Sequence, residues 1–253
     1  MILDAFKLDG KVAIVTGAST GLGQGMSLAL AEAGASVVGV DYIEMPDTEE
    51  KMKAIGGKFV GVVANLMSID PIQGIIDTAV EKFGSVDILV NNAGIIRRED
   101  AIEFSEQNWD DVININLKTV FFFSQAAAKQ FVKQGTGGKI INIASMLSFQ
   151  GGIRVPSYTA SKSAVYGITR SMANEWASKG ININAIAPGY MATNNTAQIR
   201  GDKDRSEAIL DRIPAGRWGT PDDMRGTVVF LASSASDYVN GYAIAVDGGW
   251  LAR

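Results

Sequence analysis

Short apolar runs alternate along the chain with longer segments in which apolar and polar positions interleave at helical spacing. Runs rich in Val and Ile cover 12–16, 36–40, 58–63, 88–91, 139–143, 182–187 and 243–246. Each has the length of a strand and is apolar on both faces, as a parallel sheet covered by helices requires. Helical periodicity predicts helices over 23–33, 48–55, 71–83, 105–134, 157–179 and 221–232. Seven strands with intervening helices imply right-handed crossovers and a single-domain, Rossmann-like, doubly wound α/β fold: a parallel seven-stranded sheet with helices on both faces. The segment 193–214 departs from the alternation. It is polar and charged with weak helical pattern, and reads as an insertion over one end of the sheet, a candidate substrate lid.

Composition narrows the chemistry. With 253 residues, 47% of them hydrophobic, the chain is long enough to bury a full core in one domain. It contains no cysteine and no histidine. Disulfides, thiolate nucleophiles, His-based triads and His-ligated metals are therefore excluded, and proton chemistry near neutral pH falls to Tyr, Lys, Asp or Glu. A net charge of -4 with 23 scattered Lys and Arg argues against a nucleic-acid partner. Asp4, Lys7 and Asp9 interrupt the start of the chain where a secretory signal would be apolar, and Asn, Pro and Gly interrupt the long uncharged stretch 181–199. The expectation is a cytoplasmic protein with no membrane span, no metal and a small-molecule partner.

The first apolar run ends in Thr16-Gly17-Ala18-Ser19-Thr20-Gly21-Leu22-Gly23 and opens into a helix, where a parallel sheet presents a helix N-terminus to a pyrophosphate. Asp41 follows the second run at the spacing of a carboxylate that accepts from the adenosine ribose hydroxyls. A 2'-phosphate would be repelled there and would need a cation, whereas Thr20 and Tyr42 are uncharged, so NAD is expected over NADP.

Tyr158 and Lys162 stand four residues apart on one predicted helix face, an arrangement in which an ammonium can lower the pKa of a phenol toward operating pH. Ser145 ends the fifth run thirteen residues earlier, at the carboxyl edge where open α/β sheets bind ligands, with a hydroxyl able to polarise a carbonyl.

In order and spacing, Thr16 to Gly23, Asn91-Asn92-Ala93-Gly94, Asn116, Ser145, the Tyr158/Lys162 pair and Pro188-Gly189 resemble the short-chain dehydrogenase/reductase family over essentially the whole chain. The resemblance implies a catalytic set of Asn116, Ser145, Tyr158 and Lys162. Tyr158 would exchange a proton with the substrate oxygen held by Ser145, Lys162 would bind the nicotinamide ribose, and Asn116 would anchor a relay water. It further implies that Asn92, Ala93 and Gly94 flank the adenine and ribose. Pro188, Gly189, Met191 and Thr193 would border the nicotinamide. Where the family has Asp after the third strand this chain has Asn65-Leu66, whose amide oxygen can still accept from the adenine. A homotetramer assembled through the helices 105–134 and 157–179 is implied as well.

The stretches 96–100, 145–158, 188–196, 209–219 and the terminal VDGGWLAR resemble the members of that family that act on deoxyhexonates, so a sugar-acid substrate is expected. Its carboxylate needs a cation, for which an arginine is suited. Arg154, between Ser145 and Tyr158, is the first expectation, ahead of Arg97, Arg98 and Arg217. Ser148, Gln150, Asn194 and Asn195 are candidates for sugar hydroxyls. An NAD-binding sensor or scaffold on the same fold is the competing class, and the intact Ser145, Tyr158 and Lys162 set speaks against it.

Overall fold

The computed structural model describes residues 1–253. All seven expected strands form: β1 (Val12–Thr16), β2 (Ser36–Asp41), β3 (Phe59–Val63), β4 (Ile88–Asn91), β5 (Gly138–Ile143), β6 (Ile181–Pro188) and β7 (Ala243–Val246). They pair in parallel throughout, in the order β3-β2-β1-β4-β5-β6-β7. The helices are α1 (Gly21–Glu32), α2 (Pro46–Ala54), α3 (Ile72–Phe83), α4 (Glu106–Ile113), α5 (Thr119–Gln134), α6 (Pro156–Trp176), α7 (Ala197–Gly201), α8 (Lys203–Arg212) and α9 (Arg225–Ala232).

Two apolar clusters cover the two faces of the sheet. One joins α1 and α9 to the strands through Met26, Leu30, Val228 and Leu231, and the other joins α3 and α5 through Ile75, Ile76, Phe123 and Phe131. The inner strands are buried on both faces, and burial of the continuous Val and Ile runs is the driving force that orders them. The expectation of two-sided burial fails at β3, where Val63 is exposed, because β3 is an edge strand with a helix over one face only. Buried polar groups between strands are paired: the amide of Asn91 donates to Ser124 Oγ (3.0 Å) and to Asn142 Oδ1 (2.9 Å), so Asn91 is a structural amide.

Two elements differ from expectation. The long helix expected over 105–134 is interrupted by one π-helical turn, Asn114–Lys118, between α4 and α5. The segment 193–214 holds two short helices, α7 and α8, and Asp202 caps the second by accepting from Arg205 N (3.1 Å). No helix is long and apolar enough to cross a membrane.

Candidate active site

The crossover from β1 to α1 is built for close approach by a ligand. Gly17 and Gly21 have φ of 68° and 58°, which glycine adopts without strain, and a Cβ on Gly17 would lie 2.7 Å from the Asn92 amide. A Cβ on Gly23 would collide with the Gly17 carbonyl. Thr20, the N-cap of α1, makes no side-chain cap, so the first N–H groups of a twelve-residue helix face outward without a protein partner. Leu22 packs back toward the core beside them.

Asp41, at the end of β2, is buried and accepts from Ser19 N (3.0 Å) and Tyr42 N (2.8 Å), which fixes its carboxylate against the glycine-rich loop. Thr193 reaches the same loop, since a Cβ on Gly21 would meet its methyl at 3.6 Å. Pro188 ends β6, Gly189 lies tight against Asp247, and Met191 is buried in a one-residue bridge to Gly219.

The side chains of three expected cofactor contacts, Thr16, Asn92 and Asn65, also have protein partners. The Asn92 amide donates to the carbonyl of Thr16 (2.8 Å), while the Thr16 hydroxyl accepts from Asn92 N and Ala93 N (both 2.9 Å). Their side chains thus brace the loop from below. The Asn65 oxygen accepts from Met67 N (3.0 Å) in a local turn, and the neighbouring Leu66 is buried, its carbonyl accepting from Thr119.

At the carboxyl ends of β4 and β5 the structure brings Asn116, Ser145, Tyr158 and Lys162 together. Lys162 is buried and donates to the Ile143 carbonyl at 2.6 Å, with its ammonium 5.6 Å from the centre of the Tyr158 ring. Burial lowers its pKa from 10.5 to about 8.

Burial also raises the Tyr158 pKa, against the opposing effects of a hydrogen bond with Ser145 and the charge of Arg98. Loss of hydration thus outweighs the Ser145 hydrogen bond and the Arg98 charge, whereas the expected lowering draws on Lys162 together with a positively charged nicotinamide. Ser145 Oγ also accepts from Leu147 N (3.1 Å), which orients the hydroxyl at the start of a short turn.

Asn116 lies in the π-helical turn and is fully buried. Its Oδ1 accepts from Ile95 N and its Nδ2 donates to Ile95 O (both 2.9 Å) and to Ser161 Oγ (3.3 Å). Both amide groups of Asn116 already have protein partners, so it ties the 93–95 loop to α6. Gly94 makes this possible, since a Cβ there would stand 2.9 Å from Asn116 Oδ1.

The arginines separate cleanly. Arg97 pairs with Asp111 (3.4 Å), Arg217 is bidentate on Asp223 (2.7 and 2.8 Å), and Arg154 pairs with Asp100 (2.9 Å). The expected first choice, Arg154, is thereby engaged in an exposed ion pair, and it is the only non-glycine residue with positive φ (63°). Arg98 donates to the Asn195 carbonyl (3.0 Å) and has no carboxylate at ion-pair distance.

Ser148 donates to Lys162 O (2.7 Å) and accepts from Ser145 N, so its hydroxyl is structural. Gln150 lies by Tyr242 and Leu251 along the β7 edge. Asn194 and Asn195 are exposed in the turn before α7. Sequence reasoning missed Arg205, which α8 brings to the same loop region, and the Tyr190, Trp218 and Trp250 cluster beneath it. No local motif marks either, because tertiary packing makes them neighbours.

A family model described as enoyl-(acyl carrier protein) reductase matches residues 17–251. The chain is 69% identical to 2-dehydro-3-deoxy-D-gluconate 5-dehydrogenase of Escherichia coli and 70% identical to that of Dickeya dadantii, covering all of each chain. A solved structure from Agrobacterium tumefaciens, described as a 2-deoxy-D-gluconate 3-dehydrogenase with bound NADP, superposes with a TM-score of 0.91 at 52% identity, covering 99% of this chain and 100% of that one.

Proposed function

The chain belongs to the short-chain dehydrogenase/reductase family, and from that premise we propose that it is an NAD-dependent oxidoreductase acting on the secondary alcohol of 2-dehydro-3-deoxy-D-gluconate or 2-deoxy-D-gluconate and on the corresponding ketone. The observation that carries the activity is the convergence of Ser145, Tyr158 and buried Lys162 at the carboxyl edge of the sheet, beside the glycine-rich loop. The names of the relatives carry the substrate.

The loop fits a dinucleotide: its glycines leave room, its helix N-terminus is uncapped, and Asp41 stands where a ribose hydroxyl would donate. Thr16 to Gly23, Asp41, Pro188 to Thr193, Tyr158 and Lys162 would hold it. The nicotinamide, when bound, supplies the hydride acceptor or donor. Tyr158 gives or takes the proton at the substrate oxygen, and Ser145 Oγ holds that oxygen. Lys162, anchored on Ile143 O, places its charge where it favours the phenolate over the phenol. Asn116 acts as a positioning residue that keeps Ile95 and α6 in register.

NAD is favoured because a 2'-phosphate beside the Asp41 carboxylate would meet like charge with no Lys or Arg in the loop to offset it. NADP in the Agrobacterium structure makes cofactor choice a direct point of test. The segment 193–214 is the lid over the substrate, and four chains form the working assembly.

The test is the initial rate at the NADH band with 2-dehydro-3-deoxy-D-gluconate, 2-deoxy-D-gluconate and D-gluconate, each with NAD and NADP. Turnover of the deoxy acids with NAD is expected, and Tyr158→Phe should abolish it while sparing NAD binding. Preference for D-gluconate would replace the substrate, preference for NADP the cofactor, and silence with retained NAD binding would favour the sensor.

A further inference from the structure

Between the 96–100 loop, the 150–155 loop and the segment carrying α7 and α8 lies a cleft of about 270 Å3, lined by Arg98, Arg154 and Arg205 with Gln198, Asp202 and Ile153. Its charges do not balance. Arg154 is paired with Asp100, and the one acidic side chain in the lining, Asp202, accepts from the Arg205 backbone N–H and reaches no guanidinium at ion-pair distance. Arg98 and Arg205 are left as two cations facing a shared space with no carboxylate on either.

Like charges held together raise the free energy of the empty cleft, and an entering anion removes that repulsion. Arg98 is less basic than an ordinary arginine, through burial first and the charge of Arg205 second. The charge of Arg98 also acts on the Tyr158 phenol, lowering its pKa. Arg154 has a different part: its left-handed backbone presents its carbonyl to Glu99 N (3.0 Å), fastening the two loops that frame Arg98.

We propose that Arg98 and Arg205 form a clamp for the substrate carboxylate, with Arg98 as the fixed half on the loop after β4 and Arg205 as the half carried on α8. The inference rests on the sugar-acid reading above and deepens it. It gives the segment 193–214 a reason to be ordered by substrate, because the anion is the counter-ion that joins α8 to the body of the protein.

The experiment pairs a charged substrate with a neutral one of the same shape, 2-deoxy-D-gluconate and 2-deoxy-D-gluconamide, on wild type, Arg205→Gln, Arg205→Lys and Arg98→Gln. Removing a charge-assisted partner is expected to raise KM for the acid by about tenfold or more. In Arg205→Gln kcat should change little, because the contact is made equally in ground and transition states. KM for the amide should stay near its wild-type value, and Arg205→Lys should recover part of the loss. Arg98→Gln should raise KM and also lower kcat, because Arg98 acts on Tyr158.

Calorimetric titration of the acid into the NADH-loaded protein supplies the second readout. Arginine-dependent binding without wild-type turnover overturns the activity and keeps the clamp. A ratio of acid to amide KM that neither Gln variant moves, or acid binding that is absent in wild type or indifferent to both variants, overturns the clamp.

Discussion

Lys162 illustrates what a catalytic position costs the fold at the level of one residue. The residue is only 5% exposed, and its ammonium has one hydrogen-bond partner, the Ile143 carbonyl. Its pKa falls to about 8 in the folded protein against an ordinary 10.5, so the folded state holds the proton less tightly than the unfolded chain. Folding is therefore penalised at pH values below about 8, and the penalty fades as pH climbs toward 10.5, a span worth about 3 kcal/mol. Lys162→Met is expected to be inactive and free of this dependence. Denaturant titrations at pH 7, 9 and 10.5 should show wild type gaining about 3 kcal/mol relative to the variant across the range. Met carries no titrating group, so the pH trend of the difference isolates Lys162. A difference in stability that stays flat with pH would mean that Lys162 keeps its ordinary basicity in the folded protein and that burial does not lower it. The pairing of Tyr158 with Lys162 was legible from their spacing of four. The sign of the Tyr158 shift was not, because it depends on how much water the folded chain removes.

At the scale of elements, the informative feature is the π-helical turn between α4 and α5. Such a turn widens the helix by one residue and is found most often at functional sites. Here it carries Asn116 inward to clamp Ile95 and Ser161. The apolar pattern of 105–134 stays compatible with one continuous helix, so periodicity could not reveal the interruption. Gly94 is its counterpart, because a Cβ would stand 2.9 Å from Asn116 Oδ1, closer than carbon and oxygen tolerate. Gly94→Ala should therefore push the Asn116 amide off Ile95 and lower kcat at least about tenfold, as small displacements of positioned groups do. NADH binding measured by fluorescence should be largely kept, because the glycine-rich loop is braced separately by Asn92. Asn116→Ala should cost a similar factor, and the double variant hardly more than either single one, since both remove one clamp. Additive losses would show that Gly94 and Asn116 act independently. The segment 193–214 was legible as a departure from the sheet-building rhythm, but α7 and α8 were not. Their orientation follows from Ile199 and Ile209 packing under Trp250, residues remote in sequence.

Across the whole molecule, the strand order places the β1, β2, β4 and β5 carboxyl ends side by side, which is why residues as distant as Asp41 and Lys162 share one rim. That consequence was readable once seven parallel strands were expected, since a doubly wound sheet has its crevice where the order reverses, between β1 and β4. What remained hidden was the surface. Two helices of the same face, α5 and α6, keep Phe121, Phe122, Ile168 and Trp176 only partly covered by their own chain, while Val132 is 55% exposed. At the far edge, Tyr242 and Phe149 stand exposed beside an open β7. Large contiguous apolar patches are seldom left in water on a monomer, and a closed assembly built on two kinds of contact would cover both of these faces. Light scattering on a sizing column should accordingly give the mass of four chains. Glu in place of Phe122 should reduce it to smaller species without unfolding the sheet, as circular dichroism would show. A wild-type chain that runs as one folded copy would mean that these faces tolerate water, and the four-chain assembly would then have to be abandoned.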